Sequence, residues 1–215
     1  MIRMLTNLPK IFDKHRICII CEGNEEYAYL SRLNDLKVWN EQYGFSFINA
    51  GGNGNIPARY QDRYQNGSDE LVLVFCDTEK KPHEQYQDIK HKINDFHGMS
   101  YAANEVVMYG NPCTLQIITK HWTTENLKSP AKAVNASLIR EYTGVDHYKG
   151  RADQIRQVME AVTAENYTEM KQRVMALKDD DTVIGSSNFG RYLNWFESKD
   201  SGWIEKINTV LEESA

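Results

Sequence analysis

An α/β fold is the class this sequence predicts: a mostly parallel sheet flanked by helices, with a helical C-terminal half packed on it. Three observations predict it. Apolar runs alternate with amphipathic stretches as far as residue 110. Two of those runs, "RICIIC" (16–21) and "ELVLVFC" (70–76), are continuously apolar inside, as strands buried on both faces are, rather than alternating. Beyond Asn111 the pattern turns helical throughout.

In order, "RICIIC" reads as a first buried strand, closed by Glu22-Gly23. "NEEYAYLSRLNDLKVWNEQ" then spaces Tyr27, Leu30, Leu33 and Leu36 three apart, with Asn24 at the start and glutamates in the first turn, which is the pattern of an amphipathic helix. "GFSFINA" (44–50) is a second strand, followed by the loop "GGNGN" and a shorter helix at "IPARYQDRYQ". "ELVLVFC" is the third strand, 83–97 a helix, and "NEVVMYG" (104–110) the fourth strand. Strand–helix alternation of this kind gives a parallel sheet. Later helices are expected near 113–122, 131–142, 151–163, 166–178, 188–198 and 202–213, with turn chemistry at "KDDDTVIGSSN" that leaves room for a brief strand in "TVI". At 215 residues, the α/β core (1–110) and the helical extension (111–215) are expected to share one compact domain.

The formal net charge of -5 offers no global attraction for nucleic acid, so any such contact must come from a local basic patch. Nowhere does the chain hold the roughly 18 consecutive apolar residues that suggest a membrane span, and the start has no apolar signal segment. A cytoplasmic protein with no membrane partner is the expectation. Of the four cysteines, Cys18 and Cys21 form a CxxC, yet no second CxxC or His pair completes a zinc set, and buried free thiols are the better reading.

The chemistry concentrates at strand ends. In open α/β sheets, ligands bind outside the carboxyl ends of the strands. Glu22 follows the first strand, Asp77 follows the third, and Glu79 lies two positions on. Three carboxylates on one rim would suit a hard cation such as Mg²⁺, which takes oxygen ligands and acts on phosphoryl groups; a lone strand-end carboxylate suits a general base instead. Each acid alone also suits an ordinary turn. Lys80, Lys81 and His83 follow directly, placed either to touch a phosphate backbone or to form a solvated loop. "GGNGN" lacks both the GxGxxG order and the GK[ST] of a P-loop, and reads as turn chemistry. "NPCTLQIITKHW" (111–122) starts a helix at Asn111-Pro112 and ends it on Lys120, His121 and Trp122.

Three blocks in this order resemble the TOPRIM nucleases, and among them the small RloB-like proteins of bacterial anti-phage defence. "CEGNEE" (21–26) resembles a CEGxTE block, with Glu22 at the family's glutamate and Glu26 at its second acid; "VFCDTEKK" (74–81) resembles a strand followed by Asp-x-Asp; "NPCTLQIITKHW" resembles NPCFExWLLxHF. The "GSSNFGRYLNWFE" segment is loosely similar to a late SNP-containing helix. The resemblance implies a TOPRIM/Rossmann-like core and a Mg²⁺- or Mn²⁺-dependent endonuclease acting on nucleic acid, with RNA such as tRNA favoured. Under it, Glu22, Asp77 and Glu79 are the metal ligands, Lys80 and His121 act at the scissile phosphate, and Lys81, Asn111 and Glu26 contact substrate. Departures stand at Glu79, where the family has Asp, at Glu25, where it has Thr, and at Thr114-Leu115, where it has Phe-Glu. They open a second reading, a catalytically impaired TOPRIM protein that binds nucleic acid or another protein of the same defence locus. A haloacid-dehalogenase-type phosphatase, suggested by Asp77-Thr78-Glu79 after an apolar strand, would leave Glu22 unexplained. No oligomeric state follows from the sequence.

Overall fold

The computed structural model describes residues 14–78 and 84–212. The expectations placed on Glu79, Lys80, Lys81 and His83 lie outside those residues.

Four parallel strands form one sheet in the order β2-β1-β3-β4: β1 (His15–Cys21), β2 (Tyr43–Asn49), β3 (Leu71–Asp77) and β4 (Val107–Gly110). The chain runs β1, α1 (Asn24–Asp35), β2 toward one edge. It then crosses back through α2 (Ile56–Asn66) to lay β3 on the other side of β1. The direction of winding therefore reverses between β1 and β3, and their carboxyl ends flank the crevice in which this class of sheet binds ligands. Both strands are central, and every residue of β3 is buried, which is why their sequences are continuously apolar.

Register divides the sheet into two faces. Ile17, Ile19, Cys21, Phe45, Phe47 and Phe75 share one face, because Ile17 pairs with Phe45, Ile19 with Phe47 and Cys21 with Phe75. Against it lies α9 (Phe189–Glu197): Phe189 stacks on Phe75 at 5.2 Å, and Phe196 meets Phe45 at 4.9 Å. Tyr29 of α1 packs beside Phe189. The other face, with Cys18 and Ile20, packs on α2. Cys18 and Cys21, three apart on a strand, point to opposite faces and share no metal. All four cysteines are buried free thiols, pushed up in pKa by burial.

Two expected boundaries move. The segment 104–110 is not a strand throughout: α4 (Ala102–Val106) precedes β4, because Asn94 Oδ1 accepts the Ala103 N–H at 2.8 Å and anchors a helical turn there. The helix expected over 113–122 shortens to α5 (Leu115–Ile118) and a 3-10 turn over Thr119–His121. No strand forms in "TVI"; Ser187 instead bridges Gly110 in antiparallel sense. Between these stand α3 (Glu84–His97), α6 (Lys132–Thr143), α7 (Ala152–Glu160), α8 (Ala164–Met175) and, last, α10 (Gly202–Glu212), close to their expected positions. The C-terminal half is helical and packs on the sheet, as its periodicity predicts. Among the described residues no helix is long and apolar enough to cross a membrane.

Candidate functional site

Four carboxylates gather at the switch point between β1 and β3. Glu22 leaves β1 by continuing its ladder, its N–H donating to Phe75 O at 2.9 Å. The next rung is made by its side chain, whose Oε2 accepts the Asp77 N–H at 2.9 Å. The Glu22 carbonyl is thereby released to Gly52 N–H at 2.8 Å, which folds the glycine loop after β2 over the strand end. Gly51 and Gly52 have φ of 73° and 122°, values that favour glycine and explain the residue type there. Beyond them a 3-10 turn (Asn53–Asn55) holds Asn53, and with its amide turned to suit its neighbours its nitrogen donates to Glu22 Oε2 at 2.7 Å. The "GGNGN" loop is thus turn chemistry that positions Glu22.

Asp77 ends β3 and is 7% exposed. Its Oδ1 accepts the backbone N–H of Thr114 at 2.7 Å and the Thr114 hydroxyl at 2.8 Å, at the start of α5. Burial raises its pKa well above the usual carboxylate range, and the charges of Glu26, Glu22 and Glu25 push it further in the same direction, against the Thr114 bonds. Among the described residues no hydrogen bond engages its Oδ2.

Glu26, also buried, turns back to accept the Gly23 N–H at 2.9 Å at the start of α1. Its pKa is raised by burial and then by Glu25. Glu25 is directed elsewhere: one oxygen accepts from Lys132 Nζ at 2.7 Å and from the Tyr148 hydroxyl at 2.6 Å. That ion pair brings α6 and the loop before α7 onto the first turn of α1. Burial raises the Tyr148 pKa, and the Glu25 carboxylate adds to the rise, so the phenol stays a donor.

The expected site residues divide accordingly. Glu22 and Asp77 meet on one rim, as the strand ends predict, with Glu26 beside them; Glu79, the third carboxylate expected there, lies outside the described residues. Asn111 is buried and engaged as a structural link, its Nδ2 donating to Asp181 O at 2.7 Å and its backbone bonding Ser186 and Gly185. His121 is 1% exposed with both ring nitrogens occupied. Asn166 donates its own Nδ2–H to Ala161 O, so its Oδ1 is the acceptor; His121 Nδ1 therefore carries the proton at 2.5 Å, and Nε2 accepts from Tyr29 at 3.1 Å. Burial lowers its pKa to about 4 and leaves the ring neutral. Lys120, its neighbour in sequence, turns inward to Thr124 O, Glu125 O and Asn126 Oδ1.

Residues that sequence reasoning passed over are Asn53, Thr114, Lys132 and Tyr148. Only Thr114 left a signal, as a departure in the NPC block; it stands as a double donor to Asp77, while Leu115 beside it is fully buried.

The fit to a divalent ion is one of donor chemistry. Among the described residues no three of His, Cys, Asp and Glu are placed to hold a metal together. Two strand-end carboxylates, Glu22 and Asp77, remain, and Mg²⁺, which keeps several waters, is commonly bound by one or two. Around Asp77 the surplus of negative charge is of the sign a cation relieves. No family model matches the chain, and no curated protein or solved structure matches it either.

Proposed function

We propose that this protein is a metal-dependent phosphodiesterase, an endonuclease of nucleic acid with RNA the favoured substrate, working at the rim where β1 and β3 end. The observation that carries this reading is the placement of Asp77: a buried carboxylate at the topological switch point, held above its ordinary pKa by burial first and then by the charges of Glu26, Glu22 and Glu25 around it. Stability alone does not favour grouping like charges, whereas a site for a cation does.

Glu22 and Asp77 would hold Mg²⁺ or Mn²⁺. The ion, when bound, supplies a Lewis acid for a phosphoryl oxygen and a water of lowered pKa. The chain's own contribution is orientation. Thr114 fixes Asp77, Asn53 and the Asp77 N–H fix Glu22, and the Glu25–Lys132–Tyr148 group locks the first turn of α1 beneath them. Glu26 shapes the rim from the Gly23 turn. His121, with both ring nitrogens occupied and its ring neutral, acts in this scheme as a packing element between α1 and α8.

One observation favours the second reading, a catalytically impaired TOPRIM-like protein that binds nucleic acid or a defence-locus partner. The acids are extensively satisfied from within the chain: Thr114 serves Asp77, Gly23 serves Glu26, and Lys132 and Tyr148 serve Glu25. The two readings separate by experiment. RNA and DNA ends are sequenced from cells expressing the wild type or Glu22→Ala, alongside calorimetry with Mg²⁺ and Mn²⁺. New 5′ or 3′ ends in the wild type alone, with metal binding, support the nuclease. Identical end profiles and no metal binding remove it.

A further inference from the structure

The two edges of the sheet are treated differently. At the β4 edge, Asn188 serves as a surrogate strand: its Oδ1 accepts the Tyr109 N–H at 2.9 Å, its Nδ2 donates to Val107 O at 2.8 Å, and Ser187 bridges Gly110. The β2 edge has no such cover among the described residues. His15 N–H donates to Gln42 O and Ala50 N–H to Cys21 O, so the even-numbered residues of this strand face β1 and the odd-numbered ones face outward. Tyr43 N–H is taken by Asn40 O within a local turn. That leaves the N–H and C=O groups of Phe45 and Phe47 directed away from the sheet, on a seven-residue strand, "YGFSFIN", that carries no charge. Edges exposed to water are ordinarily guarded by charge, proline or a bulge, and none interrupts this one.

We propose that β2 is a self-association edge, pairing antiparallel with β2 of a second copy about a two-fold axis through Ser46. Phe45 and Phe47 stand symmetrically on either side of that residue. In this register the outward groups of Phe45 meet those of Phe47 in the partner and the reverse, which forms four N–H···O bonds between like strands. Phe45 and Phe47 already lie parallel on one face, 6.4 Å apart at 7°, and partly buried against Trp39. Association continues that row across the axis as four aromatic rings, an arrangement cross-strand pairs favour. On the opposite face Gly44 falls against Ile48 of the other copy, so the small residue accommodates the large one. Charge also permits the pairing: Glu41 falls opposite Gly51 rather than another carboxylate. A two-fold closed contact of this kind uses one patch twice and stops at two copies, because the β4 edge is closed.

The test combines mass and amide exchange on the full chain. Light scattering over a wide range of concentration is expected to give twice 24.9 kDa at the upper end. Hydrogen exchange at the Phe45 and Phe47 amides is expected to slow in step with concentration. Phe47→Lys, which sets an ammonium among the rings, is expected to weaken dimerisation at least tenfold. Phe45→Pro, which removes an outward N–H and none that faces β1, is expected to do the same, with circular dichroism confirming that each variant is folded. A monomeric wild type at every concentration overturns the proposal. So does a dimer whose Phe45 and Phe47 amides exchange as fast as the monomer's, a monomer in which they are already slow, or a folded Phe47→Lys that still dimerises as the wild type does.

Discussion

The backbone N–H of Asp77 donates to the Glu22 side chain, Oε2, at 2.9 Å, so a carboxylate occupies a rung of the β1–β3 ladder that a backbone carbonyl would otherwise fill. One hydrogen bond thus ties the two acids of the switch point in both position and orientation. It also gives Glu22 two roles that substitution can separate. Glu22→Gln keeps an acceptor for Asp77 N–H and removes the charge; Glu22→Ala leaves a backbone donor at a buried strand end without its partner, at a cost of about 1–3 kcal/mol. Cleavage is expected to fall at least roughly 10²-fold in both, with denaturation midpoints lowered clearly only in the alanine variant. Equal activity in Glu22→Gln and wild type would remove Glu22 from the chemistry.

Asp77→Asn is expected to make the protein more stable and inactive. The amide oxygen still accepts from Thr114, while the buried charge and its repulsion with Glu26 and Glu22 are gone. In a domain of this size each 1 kcal/mol relieved raises Tm by roughly 2–4 °C. Because the folded-state pKa is raised, the carboxyl's destabilising effect is absent at low pH and grows as pH rises through the carboxylate range. The gain of Asp77→Asn over wild type is therefore expected to be larger at pH 7 than at pH 4, as read by thermal melts at both.

Lys132→Met leaves Glu25 buried without its cation. Glu25 is 7% exposed at the side chain and Lys132 33%, so solvent softens the loss to about 1–3 kcal/mol, less than for a fully buried pair. The double variant Glu25→Gln with Lys132→Met is expected to recover much of it, since the amide still accepts from Tyr148. Urea denaturation of the four members of the cycle measures the coupling.

Much of this arrangement was legible in the sequence, for a physical reason. Strands buried on both faces must be continuously apolar, so their ends are abrupt, and the first polar residues after them, Glu22 and Asp77, had to stand on the rim. The α4–β4 boundary was obscure because "NEVVMYG" has the apolar content of a strand over its whole length, and only Asn94, on the preceding helix, turns its first residues into a helix. The direction of Glu25 was hidden for a similar reason. Its partners lie 107 and 123 positions later, so although the motif sets Glu25 apart from Glu26 as a departure, nothing beside it in the chain shows where it turns. His121 was expected at the scissile phosphate because a sequence does not reveal burial; Tyr29 and Asn166 meet it from two separate helices.

That burial sets a pH dependence. His121 has its pKa lowered from 6.5 to about 4 by burial, so the folded state prefers the neutral ring. Its contribution is fully present above pH 6.5 and drains as pH falls toward 4, where the unfolded chain takes the proton first. The loss amounts to at most roughly 3 kcal/mol. His97, bonded to Tyr60 and lowered to about 4 for the same reason, acts in the same direction. Urea midpoints at pH 7 and pH 4.5 are expected to differ less in His121→Gln than in the wild type.

The closed edge of the sheet makes the last prediction. Asn188 satisfies both Tyr109 N–H and Val107 C=O, and all three residues are buried. Asn188→Ala therefore strips two buried backbone groups at once, at a cost of about 2–4 kcal/mol. Asn188→Asp keeps an acceptor for Tyr109 but sets a carboxylate oxygen against the Val107 carbonyl, and is expected to be no better. A further effect separates loss of cover from simple loss of packing. With β4 uncovered as well as β2, strand pairing has no closed end, and Asn188→Ala is expected to form species larger than a dimer under native conditions. Light scattering of the folded variant reads this directly, and Phe47→Lys placed in the same chain should cap the growth by disabling the other edge.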